Sequence, residues 1–373
     1  MKQLLIVGGG HSALPLLKMG NRWKERGVEI MLVNPNPYLV YSGALPQYMA
    51  GFYDWEQTAV DLEQLCSRYD VAFIQDRVVE IDAQSARIQT ERGQQIPFNA
   101  LLVDVGVETE PIVNASAVMP VKPMSALLDL KEMLLGKKAD SLLIAGGGAA
   151  GTELALNLSN RMDELSLSIT LMEAGERLLP GFPSTLAVRA AEALKKRGVQ
   201  VHTSAPVEER DVAAHTYTIL ATGNRPATNH INHPFETDET GRILTDAYLR
   251  VQGHPAIFAA GDAANVDGQA HTQIGVHAVK QGVTLRQNIA ALLFDELPAE
   301  AYKPYLTQPL ILSDGPEYAH YVIGNKVFSG RFFAVLKYIL DSRWLEKYNR
   351  VPEHRRSDWQ LFKDGWKRSR KAG

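Results

Sequence analysis

The sequence predicts an α/β fold made of two similar βαβ units followed by a smaller C-terminal region. Three observations carry that expectation. "LLIVGGGHSA" at residues 4–13 is echoed by "LLIAGGGAAG" at 142–151, each an apolar strand running into glycines and then into a helical pattern. Each copy is followed by a second apolar run, "VEIMLV" ending before Asn34 and "SLSITLM" ending before Glu173. Each unit also has a later strand that runs toward a glycine, "LLVDVG" reaching Gly106 and "TILATG" reaching Gly223.

The glycine spacing has a physical reading. In Gly8-x-Gly10-x-x-Ala13 and Gly146-x-Gly148-x-x-Gly151, the first glycine makes a tight turn and the second lets backbone approach a pyrophosphate. The third position, where Ala13 is an accepted small substitute, lets helix and strand pack closely. Unsatisfied N–H groups at the helix start then favour an anion. One such loop could be a simple strand-to-helix turn. Two in order, each with its closing glycine motif, read as two Rossmann-like dinucleotide-binding units.

The end of each second strand refines the assignment. Glu173 offers a carboxylate to a ribose diol, the pattern of an NAD site, although Arg177 follows closely enough to leave NADPH open. Asn34 holds the matching position in the first unit, where a neutral amide makes a weaker bond than a carboxylate does. "AIFAAGDAAN" at 256–265 places Gly261 and Asp262 after a buried strand and before another helix. The expected domains are residues 1–110 with 236–300, residues 111–235, and a C-terminal interface region over 301–373.

Composition narrows the class. The chain has 373 residues, 45% of them hydrophobic, and a net charge of −3. That is enough apolar material for two or three cores. The four-residue apolar run before Gly8 is too short for a secretion signal, and no window nears the roughly 20 apolar residues of a spanning helix. The expected location is cytoplasmic, with peripheral membrane contact. Charge is uneven: 13 Lys and Arg stand against 5 Asp and Glu from Lys326 to Gly373. In "SGRFFAVLKYILDSRWLEKY" helical spacing puts Phe332, Phe333, Leu336, Ile339, Leu340 and Trp344 on one side, with Arg331, Lys337 and Asp341 toward another. With Trp344, Trp359 and Trp366 this suits an anionic membrane surface on the inner face, or packing on the chain's own first domain or a partner subunit. Cys66 is the single cysteine, so a Cys-x-x-Cys pair is impossible and the residue is expected to pack in a helix. His230 and His233 have metal-like spacing but no third ligand, and no metal is assigned. No nucleic-acid partner is expected, and a homodimer stays open.

The ordered set of motifs resembles the flavoprotein superfamily with two dinucleotide-binding domains, the pyridine nucleotide-disulfide oxidoreductase fold. That resemblance implies FAD at Gly8, Gly10, Ala13, Asn34, Gly106, Gly261 and Asp262, and NAD(P)H, chiefly NADH, at Gly146, Gly148, Gly151, Glu173 and Gly223. Members that use flavin-side cysteines, the disulfide reductases and sulfide:quinone reductases, do not match a single-cysteine chain. "VNPNPYLVYSGALPQYMAGFY", the "DVG" at 104–106 and the C-terminal stretch look like type II NADH dehydrogenases. They resemble most the related module found fused to selenophosphate synthetase. The implied function is FAD-dependent transfer of electrons from NADH to a quinone or similar small acceptor. A reductase of a soluble protein or specialised metabolite, or a redox-sensing flavoprotein, is the alternative.

The same resemblance implies that Tyr41 to Pro46 line the flavin and that Glu153 sits near the nicotinamide–flavin junction, though an acid there also suits a helix's first turn. One departure stands out. The family's Ala-Gln-x-Ala-x-Gln helix corresponds to "HTQIGVHAVKQG", where Val276 and Lys280 take the glutamine positions and Gln273, His277 and Gln281 fall out of register. Lys280 is either a stabiliser of negative charge on reduced flavin or a surface lysine.

Overall fold

The computed structural model describes residues 1–110, 117–136, 139–266, 275–296, 300–304 and 309–370. The chain forms two compact units: Met1–Leu39, Val60–Glu108 and Arg225–Leu306 make the first, and Val40–Ala59, Thr109–Asn224 and Thr307–Gly373 the second. Three segments group differently from the division read in the sequence. Residues 225–235, expected in the second unit, cluster with the first. Residues 40–59, expected with the first glycine loop, cluster with the second unit, and so does the C-terminal segment.

The first unit is built on a five-stranded parallel sheet. Strand Lys2–Val7 lies at its centre, with Val28–Val33 and then Ala72–Ile74 on one side and Ala100–Val103 and then Ile257–Ala259 on the other. The central strands read as continuous apolar runs because a parallel sheet is covered on both faces. Leu4, Leu5, Ile6 and all four residues of Ala100–Val103 are fully buried. The expected meander is the antiparallel sheet Val78–Asp82, Arg87–Thr90 and Gln95–Pro97, whose Ile81, Ile88 and Ile96 join the core of this unit.

The second unit repeats the plan. Ser141–Ala145 is central, flanked by Ser168–Met172 and Gln200–His202 on one side and by Tyr217–Leu220 and Val118–Pro120 on the other, all parallel. A three-stranded antiparallel sheet, Leu310–Ser313, Ala319–Ile323 and Lys326–Gly330, leads into helix Arg331–Asn349 and helix Asp358–Arg368.

That long helix does not turn the face the sequence suggested. Lys337 and Asp341, placed on its polar side by periodicity, are 4% and 3% exposed, whereas Phe332 and Leu340 are 60% and 47% exposed. The reason is an ion pair inside the unit, Lys337 Nζ to Asp341 Oδ2 at 3.1 Å, which makes a charged pair part of the buried face. Among the described residues no helix is long and apolar enough to cross a membrane.

Candidate functional site

Each glycine loop is locked by the same two contacts. Gly8 has φ +91°, and a Cβ there would lie 2.5 Å from the Asp104 carbonyl oxygen; Gly146 has φ +108°, and its Cβ would lie 2.4 Å from the Ala221 carbonyl oxygen. Both positions therefore exclude a side chain on backbone grounds alone. The middle glycine then donates its N–H to the residue ending the second strand. Gly9 N reaches Asn34 Oδ1 at 2.9 Å, and Gly147 N reaches Glu173 Oε2 at 2.6 Å. The match read in the sequence between Asn34 and Glu173 is thus a match in space, with a unit of charge as the difference.

The second loop is the more open. Gly148 is the N-cap of helix Ala149–Leu158, and a Cβ built on it meets nothing within 4 Å. A Cβ on Gly151 would sit 2.0 Å from Gly146 O, so its absence lets helix and loop close together. The helix start, the free approach over Gly148 and the Glu173 carboxylate fit a dinucleotide. Glu173 is also held by Gly175 N at 2.7 Å. Arg177 turns away: it donates to the carbonyls of Leu179, Pro180 and Phe182 at 2.8 to 3.0 Å. Gly223 lies three residues beyond its strand and accepts from Glu110 N at 3.2 Å.

The first loop is filled from below by a carboxyl group that the sequence reading did not single out. Asp104 is 3% exposed and its Oδ2 accepts from Ala13 N at 2.8 Å. A Cβ on Gly10 would fall 2.5 Å from this carboxyl, and one on Gly261 (φ +67°) 2.8 Å from its Oδ1. Burial pushes the Asp104 carboxyl up to about 7; N–H groups of Ala13 and Ser12 oppose the rise and the Asp262 carboxylate adds to it. The signal for this residue was an acid closing the otherwise apolar strand "ALLV". Gly261 is held by Gln281, fully buried on helix Gly275–Leu293, whose Oε1 accepts from Gly261 N at 2.8 Å. Gly282 on the same helix has no room for a Cβ, which would meet Ser12 O at 2.6 Å. Gln281, set aside as out of register, therefore fixes the turn that carries Asp262. The loop with Asn34, Gly106 (φ +72°), Gly261 and Asp262 around it fits a second dinucleotide.

On helix Gly275–Leu293, Val276 is 45% exposed, Lys280 is half-buried and His277 Nδ1 is 2.6 Å from Tyr302 Oη. Gln273 lies outside the described residues. Cys66 is buried in helix Leu62–Arg68 with its thiol pushed up to about 12 by burial. His230 Nε2 is 2.7 Å from Glu108 Oε2, and His233 stacks on Phe235 with ring centroids 5.0 Å apart.

Glu153 belongs to the second unit and sits at the edge of a buried ionisable cluster. Its Oε1 accepts from Ser313 N at 2.7 Å and Ser313 Oγ at 2.6 Å, and Asn157 Nδ2 donates to the same Oγ at 2.9 Å. Burial pushes the Glu153 carboxyl up, with the Lys337 charge and the Ser313 bonds opposing. Lys337 Nζ also donates to Gly43 O at 2.6 Å. Burial works against its ammonium, yet Asp341 and Glu153 hold it above the usual lysine range. Tyr41 and Tyr53 donate to Asp341, and their phenols are raised well above normal by burial and by that carboxylate. Pro46, expected at the flavin, is buried in the first turn of helix Leu45–Met49 in this same unit. The structure thus brings Tyr41, Gly43, Glu153, Lys337 and Asp341 together; Lys280 and the first glycine loop belong to the other unit.

Comparison with known proteins places these features. A type II NADH:quinone oxidoreductase of Staphylococcus aureus (strain MSSA476) is 25% identical over 386 residues, covering 92% of this chain and 94% of that protein. The fold matches the structure of NDH2 from Plasmodium falciparum in complex with NADH at a TM-score of 0.77 and 14% identity, over 99% of this chain and 98% of the other. It also matches the water-forming NADH oxidase from Lactobacillus brevis bound to NADH, at 0.70 and 21% identity over 87% and 75% of the two chains. The sequence profile of the pyridine nucleotide-disulphide oxidoreductases matches residues 2–282, from the first glycine loop to the helix that holds Gly261. Over three quarters of its length is thus accounted for by one profile, and the chain belongs to the pyridine nucleotide-disulphide oxidoreductase family.

Proposed function

We propose that this protein is an FAD-dependent NADH oxidoreductase, with the flavin on the Gly8 loop and NADH on the Gly146 loop, passing electrons to a quinone. The observation that carries the reading is the paired contact of the two loops, Gly9 to Asn34 and Gly147 to Glu173, in units of the same topology. The charged member of the pair suits the ribose diol of a nicotinamide cofactor, and Arg177 is committed to backbone carbonyls instead of a 2′-phosphate. When bound, the two cofactors supply hydride and electron transfer, while the protein supplies orientation. Gly8, Gly10, Ala13, Asn34, Gly261 and Asp262 would hold the flavin, and Gly146, Gly148, Gly151 and Glu173 the nicotinamide. Cys66 takes no part in redox chemistry, since a buried thiol near 12 carries almost no thiolate at neutral pH.

The quinone acceptor rests on the named Staphylococcus relative. Anaerobic reduction of the yellow protein by NADH, followed by a short-chain quinone, tests it. Rapid bleaching and rapid return of flavin absorbance are expected; bleaching without return would send the acceptor to a protein or another metabolite.

A membrane-bound acceptor also suits the C-terminal surface. On helix Asp358–Arg368, Trp359, Phe362 and Trp366 stack in sequence, with centroids 5.6 and 6.0 Å apart, and Trp359 is 62% exposed. Lys363 and Arg370 flank them at 5.1 and 5.4 Å from the indole rings. Aromatic rings bordered by basic groups favour an anionic interface. Flotation with anionic vesicles is expected to retain the protein in a salt-sensitive way, and to lose it when Trp359 and Trp366 are both changed to Ala. Equal flotation of that variant would exclude this surface.

A further inference from the structure

The first glycine loop carries a buried acid where its counterpart in the second unit has none. Gly146 packs on Ala221, and Gly148 faces open space; Gly8 packs on Asp104, and Gly10 faces the Asp104 carboxyl. That carboxyl is wedged between the loop, through Ala13 N at 2.8 Å, and the turn at Gly261, whose Cβ it would touch at 2.8 Å. These are the two backbone elements that would meet the flavin pyrophosphate, so the argument rests on the flavin reading above. We propose that Asp104 ties flavin retention to proton binding, the loop holding the pyrophosphate at full affinity only when this carboxyl is protonated.

The reason is electrostatic. A diphosphate brought to this loop adds negative charge beside a carboxyl already out of water. Around Asp104 the loop contributes neutral N–H groups of Ser12 and Ala13, and the second strand ends in the neutral Asn34. Helix Gly275–Leu293 contributes Gln281, committed to Gly261 N. Among the groups around it, the Asp262 carboxylate on the Gly261 turn raises Asp104 in the same direction as the diphosphate, and His11, with a buried Nε2, is the titratable side chain on the loop itself. Without a diphosphate on the loop, burial pushes the Asp104 carboxyl up to about 7, and Asp262 adds to the rise. The loaded protein keeps the Asp104 proton to higher pH, so affinity falls as pH rises through this window, by at most about tenfold per pH unit for one proton.

The test uses the holoprotein. FAD release on dilution is followed by the recovery of flavin fluorescence between pH 5.5 and 8.5, for the natural protein and for Asp104→Asn. The expected result is an apparent dissociation constant flat below pH 7 and rising up to about tenfold per unit above it, with Asp104→Asn flat throughout. As a measurement that needs no variant, dilution at pH 8 in weak buffer with an indicator dye is expected to release close to one proton per flavin. A flat profile in the natural protein, release of no proton, or an unchanged slope in Asp104→Asn would each overturn the proposal while leaving the flavin site in place. Protein that binds no FAD at any pH would overturn the flavin reading, and the proposal with it.

Discussion

Two loops of nearly identical wording, Gly8-Gly9-Gly10 and Gly146-Gly147-Gly148, need their glycines for different reasons. At the first position the reasons agree, since a Cβ would strike a backbone carbonyl at 2.5 Å in one loop and 2.4 Å in the other. At the third position they part. Gly10 is kept small by a side chain of the protein, the Asp104 carboxyl at 2.5 Å, whereas Gly148 has nothing of the protein within 4 Å. A glycine that faces open space at a helix start leaves its Cβ direction to a ligand; one that faces a buried acid is kept small by the protein itself and offers a ligand only its backbone. The shared motif thus encodes a shared backbone, and the neighbours decide what each loop does with it.

The units differ as sharply in how they bury charge. Asp104 stands beside backbone N–H groups with another acid nearby, and burial carries it up to about 7. In the second unit Lys337 and Asp341 are paired at 3.1 Å, with Gly43 O at 2.6 Å as a further acceptor. Replacing Lys337 with Met sharpens this contrast most. It strands Asp341 without its cation, and the expected loss is about 3–5 kcal/mol of stability at pH 7, read by denaturant unfolding. The loss should shrink as pH falls, because the stranded carboxyl takes up a proton.

A smaller effect separates the two loops directly. Gly10→Ala drives a methyl into the Asp104 carboxyl and should cost about 2 kcal/mol, most of it recovered in the double variant with Asp104→Ala. No recovery would mean that the backbone, and not Asp104, sets the requirement at Gly10.

Much of this architecture was legible because it is local. The strand-glycine-helix wording fixed both βαβ units, and the ends of the second strands located Asn34 and Glu173, which sit alike in space. Other features depend on residues distant in the chain. The periodicity of "FFAVLKYILDSRW" pointed Lys337 and Asp341 outward, because no local rule says that Gly43, Tyr41 and Tyr53 will receive them. Residues 40–59 read as a continuation of the first unit, yet Leu45, Met49 and Ala50 are buried in the core of the second. The place of Asp104 could be guessed only as an oddity, an acid ending a fully buried strand. Its meaning comes from Gly10 and Gly261, which lie 94 and 157 positions away in the sequence.

The division of labour between the two loops is tested most directly by Gly148→Ala. A methyl there meets no protein atom, so stability should change by about 0.5 kcal/mol at most. The account predicts a yellow protein with a full complement of FAD that NADH bleaches only at concentrations at least tenfold above those needed by the natural protein. Loss of the flavin, or bleaching at unchanged NADH concentrations, would contradict it.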